Sequence, residues 1–400
     1  MRVAAVADVH VGNRQRFARG TMKAGVNLRA RLIVEVLADA YMVACQQDCD
    51  AFVIPGDLFD VVRPEPQLIA AVQQAFEDGA GRGSGRPRVF ILVGNHEQAS
   101  GEPGDHALGP LAPVADVYER PLVKAVYGDD GEASLAMYML PYSPSVPGND
   151  YVEQALAHIE LNVSVPSDES ILFAHLGVED SGTPVWLRGA HDSVKATVLA
   201  DAMRKMGISC AIVGNWHDHR VWRFDDGIEI VQCGALVPTG FDNPSTPTNL
   251  GPDSDPYGSV IVWDSSRPRG HRCERIVMNG PRFVQSRSVS DVCNAIETGC
   301  ADHGHKVFAR VIASADAVPS ITQSMNDLVS VQAGKDFWWE VVADHDDVKK
   351  RVASAAMSAR DAQTTDRALA EYVFEMPLDD DLDRQRVLDL ARQCIAGAEG

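Results

Sequence analysis

The 400-residue sequence predicts an α/β fold: a two-sheet sandwich flanked by helices, then a smaller α+β domain and a C-terminal helix. Three observations predict it. Short apolar, β-prone runs alternate with stretches of helical periodicity in the first half of the chain, as in layered sheets and helices. Later runs follow one another across tight turns, as antiparallel strands do. Side chains with metal-binding chemistry stand directly after the carboxyl ends of the early runs, where open α/β sheets place their sites.

In chain order, Val3–Ala7 reads as a buried first strand. Residues 28–47 carry Leu28, Leu32, Val36, Ala40 and Val43 at helical spacing. A strand at 51–54 leads into Pro55-Gly56-Asp57, and a helix runs from about residue 66 to 77. The glycine-rich stretch Gly79–Pro87 has no G-K-[ST] and precedes a strand, the reverse of a phosphate-cradling loop, so it is a connector. A strand at 88–93 follows. Strands at Leu135–Leu140, Ser170–Ala174 and Cys210–Val213 alternate with helices at Tyr151–Leu161 and Val194–Met206. Arg220–Phe224 and Ile228–Cys233 flank the hairpin turn Asp225-Asp226-Gly227. Residues 238–256 hold five prolines and read as a long ordered loop, and Tyr257–Asp264 closes a first domain over 1–265. Composition turns polar and basic over 265–290. Elements at 290–300, 306–313, 319–329, 337–342 and 346–360 make a smaller domain, 266–376. Residues 377–400 hold a last helix, Leu382–Ile395, with Val387, Leu388, Ala391, Cys394 and Ile395 on one face. Asp379–Asp381 at its amino end complement the helix dipole.

Composition narrows the function. At 45% hydrophobic residues the chain can fill a sizeable core, yet no apolar run reaches the roughly 18 residues of a membrane span. Asp8 interrupts the apolar opening before it reaches the length of a signal-peptide core. Eight cysteines without a C-x-x-C pair point to reduced thiols in a cytoplasmic protein. The net charge of −20 counts against a generic nucleic-acid binder, whose affinity comes from lysine and arginine on phosphates. Arg14, Arg16, Arg19 and Lys23 form a local basic cluster, read either as a phosphate-backbone contact or as a solvated loop.

Five segments carry the chemistry: Asp8-Val9-His10, Gly56-Asp57, Gly94-Asn95-His96-Glu97, the His175 of Phe173-Ala174-His175-Leu176, and Gly214-Asn215-Trp216-His217-Asp218-His219. Their mixed oxygen and nitrogen donors suit a pair of first-row divalent metals better than a thiolate zinc site. Each alone is more simply a core or surface polar residue; all five in this order are not. His106, His158, His191, His271, His303, His305 and His345 have no such setting and read as structural. Trp338 and Trp339 read either as alternate faces of a strand or as base-stacking groups.

The five segments resemble the calcineurin-like metallophosphoesterase superfamily, whose pattern is D-x-H, G-D, G-N-H-[DE], H, G-H-x-H. Within it, Pro55-Gly-Asp-Leu-Phe-Asp-Val-Val-Arg-Pro-Glu-Pro66 is most similar to SbcD-type nuclease subunits of double-strand-break processing complexes. The resemblance implies a metallophosphoesterase sandwich holding two divalent ions, Mn2+ being expected. Asp8, His10 and a late histidine would hold one ion, Asn95 and His175 the other, with Asp57 bridging. It makes His96 the proton donor or transition-state stabiliser; Glu97, Asp60 and Asp218 each read either as a carboxylate orienting a ligand or as a surface carboxylate. The late motif departs from the family: either Asn215 and His217 are the pair, or His217 and His219. Gly214 ending its strand and Arg220 three residues after His217 favour the first. The implied partners are DNA, an SbcC-type ABC ATPase docked on the C-terminal helix, and a second copy of the chain, with no membrane. The 266–376 domain becomes a capping domain. Two other functions fit: a stand-alone phosphodiesterase or phosphatase on small molecules such as cyclic nucleotides, and a DNA-binding subunit whose metal site has partly decayed at Asn215.

Overall fold

A computed structural model of the chain describes residues 1–14, 22–79, 86–100, 102, 104–127, 133–162, 167, 169–241, 258–302, 307–331, 337–344 and 387–389. The chain divides into two compact units, Met1–Val284 with Glu297–Phe308, and Gln285–Ile296 with the residues from Ala309 onward.

The first unit begins with β1 (Arg2–Ala5), then α1 (Leu28–Gln46), β2 (Ala51–Ile54), α2 (Pro66–Gly79), β3 (Arg88–Leu92) and β4 (Asp116–Tyr118). Helix α1 starts where it does because the Asn27 side chain accepts the Ala30 N–H at 2.8 Å, satisfying one orphan donor of the first turn. There follow β5 (Leu122–Tyr127), β6 (Ala133–Leu140), α3 (Gly148–Asn162), β7 (Ser170–His175), β8 (Gly177–Glu179), β9 (Ser193–Lys195), α4 (Ala196–Lys205) and β10 (Cys210–Gly214). The hairpin β11 (Arg220–Arg223) and β12 (Glu229–Gln232) and the pair β13 (Ser259–Asp264) and β14 (Cys273–Val277) complete two six-stranded sheets. The first runs β14-β13-β1-β2-β3-β4 and the second β11-β12-β10-β7-β6-β5. Strands β1 to β4 are mutually parallel, as are β6, β7, β10 and β12, so their carboxyl ends share an edge in each sheet.

Two-residue periodicity distributes the core. Val3, Ala5, Val53, Phe90 and Leu92 of the first sheet meet Met137, Met139, Ile171, Phe173 and Ile212 of the second between the sheets. The alternate residues Ala4, Phe52, Ile54, Val89 and Ile91 pack with Ile33, Leu37 and Val72 of α1 and α2. Leu140, Leu172, Ala211 and Val213 do the same with Leu156, Leu199 and Met203 of α3 and α4. The α/β two-sheet architecture with helices outside is therefore the one the sequence predicts.

Several elements depart from expectation. Strands β4, β5 and β8 fall in stretches with no predicted element, being short or only half buried, and the helix expected from Val194 begins at Ala196, the residues before it forming the short strand β9. The expected boundary at residue 265 lies inside the first unit: β14 extends the first sheet, and the division falls after Val284. Part of the polar composition there belongs to an edge strand, Cys273-Glu-Arg-Ile-Val277, whose Glu274 is exposed and whose Arg275 is half buried. The expected strand at Tyr257 starts at Ser259.

Strands β15 (Arg282–Ser286), β16 (Val307–Ala313) and β17 (Phe337–Ala343) form a three-stranded sheet in that order, with α5 (Val289–Asp302) and α6 (Val318–Val331) between them in sequence. Buried Arg310 donates to Gln285 at 2.8 Å and to Glu340 at 2.7 Å, one hydrogen-bonded group from each strand. Trp338 is buried. The expected element at 346–360 and His303, His305 and His345 lie outside the described residues, as do Arg16 and Arg19 and most of the 238–256 loop. Of Leu382–Ile395 only 387–389 are described; they are helical, with Leu388 buried. No helix among the described residues is long and apolar enough to cross a membrane.

Candidate metal centre

The five motifs meet at the carboxyl ends of the parallel strands. Asp8 and His10 follow β1, Asp57 follows β2, Asn95 and His96 follow β3, His175 ends β7, and His217 follows β10. Two glycines let them approach. Gly56, at φ +88°, has no room for a side chain, since a Cβ there would lie 2.1 Å from His175 Nδ1; one on Gly94 would lie 2.1 Å from Asp57 Oδ1. Several donor residues themselves sit at positive φ: Asp8 (50°), His10 (51°), Asp57 (54°) and Asn215 (96°). Such values are costly for residues with a Cβ and gather at functional sites.

The predicted ligands fall into two groups. Asp8, His10 and His217 offer one, and Asp8, Asp57 and His175 the other, with the ligand atoms of each within 4.8 Å of one another. Asn95 joins the second, its Oδ1 2.8 Å from His175 Nε2. The two oxygens of Asp57 face different ways: Oδ2 lies 3.8 Å from His10 Nε2, and Oδ1 lies 3.5 Å from His175 Nε2. A carboxylate placed so can serve both groups at once.

These residues fit a pair of cations on their own chemistry. His175 Nδ1 is 2.8 Å from the Pro55 carbonyl oxygen, which only accepts, so Nδ1 carries the proton. Its Nε2 stands 2.8 Å from the Asn95 oxygen, the spacing of two neighbouring ligands on one cation. In the other group, His10 Nε2 and His217 Nε2 are 3.0 Å apart. Burial pulls both imidazoles down, His217 to about 3, so both are neutral ligands near pH 7. Burial, and then the Asp57 charge, push Asp8 well above the usual carboxylate range, a repulsion that a bound cation reverses.

The surrounding residues hold the ligands. Glu97 accepts the backbone N–H groups of Asp57 (3.2 Å), Phe59 (2.8 Å) and Gly94 (2.8 Å), fastening the second and third motif loops together. Burial and then Asp57 raise its carboxyl to about 8. Asp60 takes both Arg14 Nε and Nη2 at 2.6 and 2.7 Å and stands 3.4 Å from His10 Nδ1. Burial pushes Asp60 up, but Arg14 and His10 outweigh it and hold it below the usual range. Arg14 also donates to the Thr239 carbonyl at 2.7 Å, so it braces the site while remaining partly exposed, and Lys23 is exposed. Asp218 binds Gln232 and Arg220 and braces the fifth loop from outside.

His96 stands beside the first group, with a ligand atom within 4.8 Å of one on His10 and one on Asp60. Its Nδ1 is 3.1 Å from the Asp60 carbonyl, its Nε2 is 3.9 Å from Asp57 Oδ2, and its side chain is 38% exposed. An imidazole anchored at one nitrogen and open at the other can exchange a proton with a bound molecule.

In the fifth motif, His217 joins the cluster, whereas His219 turns its Nδ1 to the Cys233 carbonyl at 3.3 Å. The side chain of Asn215 points its Nδ2 at Asp192. His217→Ala is expected to abolish metal-dependent activity, and His219→Ala to cost at most roughly 10–100-fold, the scale of a group that only supports a ligand. Parallel turnover assays and metal titrations of the two variants check this; one metal lost from His219→Ala would reverse the roles. Sequence reasoning missed Asp192, Arg29 and Tyr142. Arg29 is fully buried with Nη1 3.4 Å from the His10 carbonyl, and the Tyr142 ring stands edge-on to His175 at 6.3 Å. None of the three lies in a motif, and only the fold brings them to the site.

The model of the calcineurin-like phosphoesterase family matches residues 1–220. The chain belongs to that family, a class of metal-dependent phosphoester hydrolases. No curated protein matches it in sequence. Among solved structures it is similar to a dimetal phosphatase from Danio rerio, at 12% identity and a TM-score of 0.39, over 70% of this chain and 99% of that one. It is also similar to a putative 5'-nucleotidase from Staphylococcus aureus, at 15% identity and a TM-score of 0.38, over 70% of this chain and 53% of that one.

Proposed function

We propose that the protein is a two-metal DNA phosphodiesterase, the nuclease subunit of an SbcCD-like complex. The observation that carries the phosphodiester chemistry is Asp57, whose two oxygens face two separate donor groups. Two divalent ions on these groups, Mn2+ in this reading, would activate a water and neutralise the phosphate. Asp8, Asp57, His10, Asn95, His175, Asn215 and His217 hold them. His96, anchored on Asp60, delivers a proton to the leaving oxygen. What supports DNA as the substrate is the resemblance of Pro55–Pro66 to SbcD-type nucleases and the presence of further folded elements beyond the catalytic unit. In this reading those elements cap the site, residues 377–400 dock an SbcC-type ABC ATPase, and the subunit works as a homodimer in the cytoplasm. The net charge of −20 favours a second reading, hydrolysis of small diesters such as cyclic nucleotides, which need no basic surface.

Purified protein with manganese, assayed on linear duplex DNA, single-stranded DNA and a bis-aryl phosphodiester, separates these readings. Cleavage of DNA is the expected result; turnover of the aryl diester alone favours the second. After chelator treatment, manganese is expected to restore more activity than magnesium, because the histidine donors are softer than the carboxylate and water sites magnesium prefers. Equal restoration by magnesium would count against this ligand set.

A further inference from the structure

Position 215 is where this chain departs from its family, and its surroundings contain a compensation. The main-chain N–H of Asn215 donates to both Asp8 oxygens, at 2.9 and 3.0 Å, and β10 is in register with β7 so that Gly214 pairs with His175. Residue 215 therefore stands beside the His175 group. Its amide could face either way, since carbonyl and amino ends are nearly the same size. Asp192 removes that freedom. Asn215 Nδ2 lies 2.9 Å from Asp192 Oδ2 and 3.3 Å from the Asp192 carbonyl oxygen, two acceptors for the two N–H bonds of one amide. The flipped amide would set an oxygen against a carboxylate. The arrangement leaves Oδ1 as the one polar atom of the Asn215 side chain not engaged by Asp192.

We propose that Asp192 is a positioning residue: it holds the Asn215 amide so that Oδ1 is presented as a ligand to the second metal. The proposal rests on the two-metal reading of the site. With one amide proton on the Asp192 carboxylate and the other on the Asp192 main-chain carbonyl, electron density is also drawn toward Oδ1, making it a stronger donor, much as a carboxylate behind a ligating histidine raises its basicity. An amide backed in this way recovers part of what replacing imidazole loses. The Gly177 N–H, at 3.0 Å from the Asp192 carbonyl, fixes that backbone oxygen, so a change of the Asp192 side chain leaves the main-chain contact in place.

The test is calorimetric titration of manganese into the metal-free full-length protein, with thermal melting to confirm folding. Wild type is expected to bind two ions. Asp192→Ala is expected to weaken only the second, by roughly 10–100-fold. Asp192→Asn keeps the bulk and one acceptor oxygen but loses the charge, and is expected to fall between wild type and Asp192→Ala, whereas a merely bulk role would leave it at the wild-type affinity. In an Asn215→His background, where an imidazole needs no amide orientation, Asp192→Ala is expected to change second-site affinity by less than about threefold, within the additivity of uncoupled sites. Two ions of unchanged affinity in Asp192→Ala would overturn the proposal and leave the two-metal reading standing. A wild-type protein that binds a single ion would overturn both.

Discussion

Asp57→Asn is expected to remove hydrolysis while making the metal-free protein more stable. The Asp57 carboxylate is buried near Asp8 and Glu97, and it contributes to the upward shift of both. Asparagine removes that repulsion. Its carbonyl can still accept the His96 N–H that Asp57 Oδ1 takes at 3.0 Å. Stability should rise by about 1 kcal/mol, the usual yield of relieving a functional constraint. Activity should fall on the order of 10³-fold or more, because an amide offers one ligating oxygen where the two donor groups need two, and metal clamping supplies several kcal/mol of the barrier reduction. Chelator-treated melting curves beside a manganese assay measure both. A variant that melts lower without metal would show that Asp57 is held by its structural bonds more than it strains the site.

His96→Ala should separate chemistry from binding. The imidazole is tied to the Asp60 carbonyl, partly exposed, and edge-on to the His10 ring at 4.7 Å. Turnover should fall about 10²–10⁴-fold, the range for losing a general acid, with both metal affinities nearly unchanged. The loss should shrink for substrates whose leaving group is already acidic, since these need no proton. Loss of a metal from the variant would move His96 into the ligand shell.

The sequence made the sandwich legible because buried parallel strands read as apolar runs, and Val3, Phe52, Phe90 and Phe173 stand in such runs. It made the donor set legible because those side chains follow strand ends directly. Edge elements were hidden for the opposite reason. Strand β5 is half buried along most of its length and β14 carries Glu274 and Arg275, so neither differs from loop in composition. Contacts made across 23 residues, such as Asn215 to Asp192, have no local signature at all. The same holds for Arg14 and Asp60, 46 residues apart: their bidentate bond turns a residue that reads as a phosphate contact into a brace for the Asp60–His10 pair.

The left-handed backbone at Asp8, His10, Asp57 and Asn215 bears on how such a protein changes over generations. Each of these positions spends roughly 1–2 kcal/mol that glycine would not, and a domain has only about 5–15 kcal/mol in total. Giving up the chemistry is thus the thermodynamically easy direction, and a lineage released from selection should shed its donors at these positions first. Asparagine and aspartate tolerate positive φ better than other residues with a Cβ, so Asp8, Asp57 and Asn215 carry this cost more lightly than His10 does.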